Sequence, residues 1–328
     1  MTDILTITLN PAVDLATTAP FVTAGPKLRC GPVRTDPGGG GINVSRAIAH
    51  LGGQSRALVA IGGPPGKKLR QLLAAEGIAV LPFRTTGETR QSLAVTDDST
   101  GEQYRFVLPG PIWDDERVAA VLGTITAAVP DQGIVVLSGS LPPGVKADFP
   151  HALCDALRER SARIIADTSG DALHRLAAAT VPAPYVLRMD QAEAEELAER
   201  PLPDRADSAA FAAELVARGA AEIVIVARGA DGSVMADSQR QVFVKAADVP
   251  VRSKIGAGDS FVGGFALSLS RGADPTEALR RGAAAASAAV MTDATELCHR
   301  EDAQRLYADC TLEETGNQPR AAPRRSQE

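Results

Sequence analysis

Cysteine is scarce in this chain. The four residues Cys30, Cys154, Cys298 and Cys310 form no CxxC pair and no zinc-like spacing. A zinc site is therefore not expected, and a reduced, cytoplasmic setting fits best. Histidine is as rare, and His50, His151, His174 and His299 share no ligand spacing, so they read as structural residues. No apolar run nears the ~20 residues of a membrane span. The opening MTDILTITLN holds an acidic residue and no basic stretch, so no secretory leader is expected. Basic charge is in deficit as well. A formal net charge of -6 argues against nucleic acid or an anionic membrane as the main partner. Basic residues gathered in one pocket would then carry meaning. Internal repeats are missing, and the one biased stretch is an alanine-rich segment near 283–289.

What is present is a rhythm. The 328 residues suit one large α/β domain with an embellishment, or two domains. Short β-branched runs recur: ILTITL (4–9), ALVAI (57–61), IVVL (134–137), RIIAD (163–167), YVL (185–187) and EIVIV (222–226). They are apolar nearly throughout, as strands buried on both faces should be. Helical patterns lie between them. In INVSRAIAHLGG, Val44, Ala47, Ile48 and Leu51 recur at helical spacing, and Gly52-Gly53 supply a stop. ADFPHALCDALRER, DSAAFAAELVARG and PTEALRRGAAAASAAV behave alike. Alternating strand and helix predicts an α/β fold, a mostly parallel sheet with helices on both faces. Residues 13–37 and about 88–109 break the rhythm with short alternating runs and no helix. They are expected to form a small β lid. The polar tail from 313 to 328 is expected to be disordered.

In open α/β sheets ligands bind beyond the carboxyl ends of the strands, so the loops there are the places to search. KIGAGDSFVGGF (254–265) opens a helix predicted over 257–271, since Val262, Phe265, Ala266 and Leu269 share a face. Gly256, Ala257 and Gly258 then sit where helix amides lack partners and carry partial positive charge. Asp259 falls in the first turn. A plain helix start and an anion cradle with a base are both open here. DPGGGGINVSR (36–46) places Gly39 and Gly40 before a helix whose first turn holds Asn43, an amide suited to a sugar hydroxyl. LSGSLPPG (137–144) presents Ser138 and Ser140 directly after a strand. Lys27, Arg29 and Arg90, with Asp14, fall in the lid; the three cations could clamp a phosphate or simply be solvated. Asp190 and Glu193, three apart at a helix start, could hold Mg²⁺ through water or merely cap the helix.

Taken together these motifs become recognisable. GGGGINVSRAIAHLGG, TRQSLAV, GEQYRFVLPG, SGSLPPGV and GAGDSFVGG occur in order from about residue 4 to about 310. They resemble the PfkB carbohydrate kinases of the ribokinase superfamily. KLRC, the all-glycine GGGG and GEQYRFVLPG are most similar to the minor 6-phosphofructokinases within it. The resemblance implies a ribokinase-like α/β fold with a β lid, one kinase domain over 1–312, and pairing of lids into a homodimer. It implies ATP and Mg²⁺, with a sugar phosphate as partner. The expected reaction is phosphorylation of fructose 6-phosphate at its C1 hydroxyl. Fructose 1-phosphate or tagatose 6-phosphate is the alternative acceptor, and a degenerate sugar-phosphate binder is a third reading.

The resemblance also implies roles. Asp259 matches the family's base, and the amides of Gly256, Ala257 and Gly258 its anion hole. Lys27, Arg29 and Arg90 match the 6-phosphate clamp. Asp14, Gly39, Gly40, Asn43, Ser138 and Ser140 match sugar contacts. Glu193 matches the metal glutamate. Departures gather on the nucleotide side. Arg188, Met189 and Asp190 stand where Lys-Pro-Asn is common. Ala227, ahead of Gly229 and Gly232 in VARGADG, stands for a serine. Lys254 replaces a small hydroxyl residue, and Thr292 and Ala294 replace Asn and Gly near a loop that helps form nucleotide and K⁺ sites in relatives. K⁺ dependence is accordingly expected to be weak.

Overall fold

The computed structural model describes residues 2–179, 181–293 and 295–317. Its strands are β1 (Ile4–Thr8), β2 (Ala12–Ala19), β3 (Arg34–Gly38), β4 (Arg56–Ile61), β5 (Ala79–Arg84), β6 (Arg90–Asp97) and β7 (Gln103–Val107) in the first part of the chain. The second part adds β8 (Ile134–Ser138), β9 (Arg163–Asp167), β10 (Val186–Asp190), β11 (Ile223–Ala227), β12 (Ser233–Ala236), β13 (Arg240–Val244) and β14 (Leu312–Asn317). Ten of them form one sheet in the order β14-β13-β12-β11-β10-β9-β8-β1-β4-β5. From β11 to β5 every pairing is parallel, and β12, β13 and β14 add antiparallel at one side.

The helices are α1 (Gly40–His50), α2 (Gly63–Ala75), α3 (Asp115–Ala128), α4 (Phe149–Ala156), α5 (Asp171–Ala177), α6 (Gln191–Ala198), α7 (Arg205–Arg218), α8 (Ala257–Ser270), α9 (Pro275–Ala289) and α10 (Arg300–Leu306). Alternate strand residues feed opposite faces. Ile4, Ile134, Val136 and Ile165 pack with Val44 and Ile48 of α1 and Phe261 and Phe265 of α8. Leu5, Ile7, Val135 and Leu137 pack with Val121 and Ile125 of α3 and Leu153 of α4. Residues buried on both sides explain why the strand runs are unbroken rather than alternating. Within α8 the Gly263-Gly264 pair has a spatial cause. A Cβ would come within 2.9 Å of Ala47 Cβ at Gly263 and within 2.9 Å of Arg281 O at Gly264. Both neighbouring helices, α1 and α9, pack onto bare backbone.

The remaining four strands form the separate small sheet, ordered β3-β2-β6-β7. β2 runs parallel to β6, and β6 antiparallel to β7. One expectation needs correction. Residues 313–317, assigned by their polarity to a disordered tail, form most of edge strand β14, with Glu313 opposite Phe243. A free sheet edge recruits a strand through main-chain hydrogen bonds, so apolar side chains are not required. Positions 318–328 lie outside the described residues.

Candidate active site

The chain starts in mid-sheet, steps to β4 on one side and later to β8 on the other. That reversal is where α/β sheets open a crevice at the strands' carboxyl ends. The glycine run fills its floor. Gly39, the N-cap of α1, has φ 124, a conformation side chains resist. A Cβ at Gly40 would lie 2.3 Å from Ser138 Oγ, and one at Gly41 2.5 Å from Ile7 O. These two glycines therefore let α1 close against the ends of β1 and β8; the close approach read from sequence is made first of all to the protein's own chain.

The N-terminus of α8 faces the same crevice. Gly256, its N-cap, is left-handed at φ 75, and no side chain caps the helix. Ala257 N donates a long 3.4 Å bond to Lys254 O. The amides of Gly258 and Asp259 have no partner among the described residues, which leaves two donors in a region of partial positive charge. Asp259 accepts from Asn43 Nδ2 at 2.9 Å. Burial first, then the Asp167 carboxylate, pushes the Asp259 carboxyl up to about 7, against the Asn43 bond and the cations Arg188 and Arg46.

Asp167, the last residue of β9, went unnoticed in the sequence. Its Oδ1 accepts from Arg188 Nη1 at 2.9 Å and its Oδ2 from Ser138 Oγ at 3.2 Å. Being the terminal residue of a parallel strand was the signal that would have found it. Arg188 is read from sequence as a nucleotide-side residue. It lies between Asp167 and the start of α8: a Cβ at Gly258 would fall 3.0 Å from Arg188 Nη1. Burial alone would weaken the guanidinium's charge; Asp167 above all, then Asp259 and Glu193, more than offset it. Arg188 Nε is buried with no partner among the described residues.

On the sugar side, Asn10 ties two expected contacts together. Its Nδ2 donates to Ser140 Oγ at 3.2 Å, and its carbonyl accepts from Arg90 Nε at 3.1 Å. Asn10 Oδ1 is buried and has no hydrogen-bond partner among the described residues. Asp14 of β2 is partly buried, and burial lifts its carboxyl above the usual range despite Arg90. Lys27 and Arg29 stand exposed on the 20–33 loop with no ion pair among the described residues. The structure thus joins Asn10, Ser140, Arg90 and Asp14, and leaves those two cations apart.

On the other side the acidic pair has a local job. Asp190 is the N-cap of α6; its Oδ1 accepts from Glu193 N at 2.9 Å while Glu193 Oε2 accepts from Asp190 N at 2.8 Å. This reciprocal box satisfies both residues structurally. Burial, with Asp190 and Asp167 adding to it, raises the Glu193 carboxyl against the bond from Asp190 N. No group of three or more His, Cys, Asp or Glu among the described residues is arranged around a metal. Ala227 ends β11 half-buried. Gly229 lies in the turn after it with φ 59. At Gly232 a Cβ would strike Val244 O at 2.0 Å, so its glycine is demanded by the hairpin. Lys254 is exposed and unpaired among the described residues. Thr292 is buried, its hydroxyl donating to Ala289 O at 2.8 Å. Ala294 lies outside the described residues. Thr295 beside it donates to Asp36 Oδ2 at 2.8 Å, and its hydroxyl also accepts from Arg34.

A ribokinase-like sheet, a separate lid and a carboxylate at an uncapped helix start define a sugar kinase architecture. The chain belongs to the pfkB family of carbohydrate kinases, whose model matches residues 3–302. It is 39% identical over 308 residues to the ATP-dependent 6-phosphofructokinase isozyme 2 of Escherichia coli (strain K12), spanning 94% of this chain and 99% of that protein. The crystal structure of Escherichia coli phosphofructokinase-2 in complex with potassium superposes with a TM-score of 0.87 at 39% identity, covering 94% of this chain and 99% of the other. The 1-phosphofructokinase of Bacillus subtilis (strain 168) is 30% identical over 306 residues, 93% of this chain and 98% of that one.

Proposed function

We propose that this protein transfers the terminal phosphoryl group of ATP to the C1 hydroxyl of fructose 6-phosphate, yielding fructose 1,6-bisphosphate. The carrying observation is Asp259, a carboxyl pushed up to about 7 beside two unpartnered helix amides. A base works best with a pKa near the operating pH. Asp259 takes the proton from the C1 hydroxyl, with Asn43 orienting its carboxylate. The amides of Gly258 and Asp259, with Arg188, stabilise charge on the transferring group. Arg90 and Asp14 hold the acceptor, with Asn10 fixing Arg90; Lys27 and Arg29 reach the 6-phosphate from their exposed loop. When bound, Mg²⁺ would screen the triphosphate charge. Glu193 and Asp167 fit that role through water, because carboxylate oxygens suit a hard cation and burial leaves the Glu193 carboxyl short of charge compensation. K⁺ dependence is weak, in keeping with the changed positions near residues 254 and 292.

The lid supports a homodimer. Phe106, Val107 and Leu108 are exposed at 54%, 62% and 54%, and every residue of β7 is open. Exposed apolar surface rimmed by polar residues marks an interaction face. We read residues 1–312 as one kinase domain. Among the described residues no helix is long and apolar enough to cross a membrane, which suits the expected cytoplasmic setting. The test is a kcat/KM panel with ATP and Mg²⁺ over fructose 6-phosphate, fructose 1-phosphate, tagatose 6-phosphate and fructose. Fructose 6-phosphate should lead. A lead by fructose 1-phosphate would overturn the assignment in favour of the 1-phosphofructokinase reading, and tight binding without turnover would make the protein a sensor.

A further inference from the structure

A second concavity lies at the far end of α8 from Asp259. It is a cavity of about 290 Å³, at the small end of ligand pockets. Leu51, Leu267, Ala284 and Ala303 give it an apolar wall, and Arg271, Arg281 and Arg300 also line it. Glu277 is its one acidic lining residue, and that carboxylate is already engaged. Its Oε1 accepts from Arg281 Nε at 2.7 Å and its Oε2 from the Tyr307 hydroxyl at 2.6 Å. Arg281 also stacks on Tyr307, 3.9 Å from the ring centre. Arg271 and Arg300 are left with no ion pair among the described residues.

Both free guanidiniums converge on Gly52. Arg271 Nη2 donates to Gly52 O at 3.4 Å, and a Cβ at Gly52 would lie 2.9 Å from Arg300 Nη1. Two like charges are held together without a counter-ion, on a chain whose net charge is -6. Both guanidiniums are exposed, and an anion between them would relieve what repulsion water leaves unscreened. Guanidinium forks match the oxygens of a phosphoryl group bidentately. We propose that this cavity binds a small organic phosphate, with its phosphoryl group between Arg271 and Arg300 and its body against Leu51 and Leu267. The 14 residues of α8 rise about 1.5 Å each. Arg271 follows Asp259 by twelve residues, about 18 Å along the helix axis, so the proposed phosphoryl position is separate from the transfer centre.

Glycerol 3-phosphate is a suitable probe, compared with glycerol and inorganic phosphate at constant ionic strength. Calorimetry on protein carrying Lys27→Ala, Arg29→Ala and Arg90→Ala together, which removes every cation of the sugar-phosphate clamp, should show saturable binding of glycerol 3-phosphate, weaker binding of inorganic phosphate and none of glycerol. Adding Arg271→Gln and Arg300→Gln should weaken that binding by at least roughly tenfold with the ligand-free melting temperature unmoved. Each single substitution should weaken it partially, which keeps the test available if the combined variant folds poorly. No saturable binding in the protein lacking the clamp cations, or binding that survives the Arg271 and Arg300 substitutions, overturns the proposal.

Discussion

Of the helices that begin with acid, α6 and α8 meet opposite fates at their N-termini. At α6, Asp190 and Glu193 satisfy the first amides reciprocally. At α8, a left-handed glycine occupies the cap position and no side chain caps the helix. The acid has moved inward to the third helical position, where its carboxyl shares a partly buried space with Asp167 and Arg188. Asp190 is exposed and closes its helix; Asp259 leaves its helix open. The difference teaches that acidity near a helix start carries little information by itself. What separates a cap from a site is whether the amides remain free and whether the carboxylate has been desolvated.

The comparison breaks most sharply at Asp259. Asp259→Asn should lower kcat by about 10²–10⁴, the usual worth of a general base. It should also raise the melting temperature at pH 8 more than at pH 5. The sign follows from a folded-state value of about 7 against an ordinary 3.8. The carboxyl's stabilising contribution is complete below about pH 4 and is lost as pH rises through about 7. Asparagine escapes that loss. A variant that melts lower than wild type at pH 8 contradicts the desolvated carboxylate. Arg188→Ala comes next. It strands Asp167, whose side chain is only 13% exposed, and should cost about 3 kcal/mol in a urea titration. It also removes a cation that lowers the Asp259 pKa, so the acid limb of the kcat/KM profile should move to higher pH. An unmoved limb would place Arg188 outside the site.

Asp190→Ala tests the other helix. Loss of the cap should cost about 1 kcal/mol of stability, with kcat and the Mg²⁺ requirement nearly unchanged; Asp190→Ser should recover most of the stability. A Mg²⁺ requirement raised tenfold with stability intact would make Asp190 a ligand instead. The smallest effect belongs to Lys254→Thr. An exposed, unpaired lysine should change stability by less than about 0.5 kcal/mol and leave K⁺ activation of kcat as it was. Restored K⁺ dependence would show that its ammonium stands in for a cation.

Much of the frame was legible because doubly buried strands write themselves as unbroken apolar runs: β1, β4, β8, β9 and β11 fall within a residue or two of ILTITL, ALVAI, IVVL, RIIAD and EIVIV. The helix start at Ala257 was legible from Val262 and Phe265 recurring on one face. β14 was not, since an edge strand borrows its order from the neighbour it pairs with. Within the site, Asn43 and Asp259 were singled out from two separate motifs, and the fold joins them through a 2.9 Å hydrogen bond. Asp167 was missed because its significance is tertiary: a lone aspartate after RIIA acquires meaning only when Arg188 and Ser138 arrive beside it. Gly40 and Gly232 were assigned to ligands, while the structure shows each facing its own backbone or a serine hydroxyl at a distance that excludes a methyl group. A glycine's sequence context records crowding without naming what crowds it.

Thr295 carries a mechanical consequence. Its hydroxyl bonds Asp36 and Arg34 on lid strand β3, and its carbonyl accepts from Arg46 of α1 at 3.3 Å. Arg46 in turn grips Glu76 at 2.6 Å, behind α2. One threonine thus joins three elements: lid strand β3, helix α1, which carries Asn43, and the loop following α9. Opening the lid at β3 would break its bonds to the loop that follows α9. Through the Thr295 carbonyl the same loop is also tied to α1, so β3, α1 and this loop share one hydrogen-bonded junction.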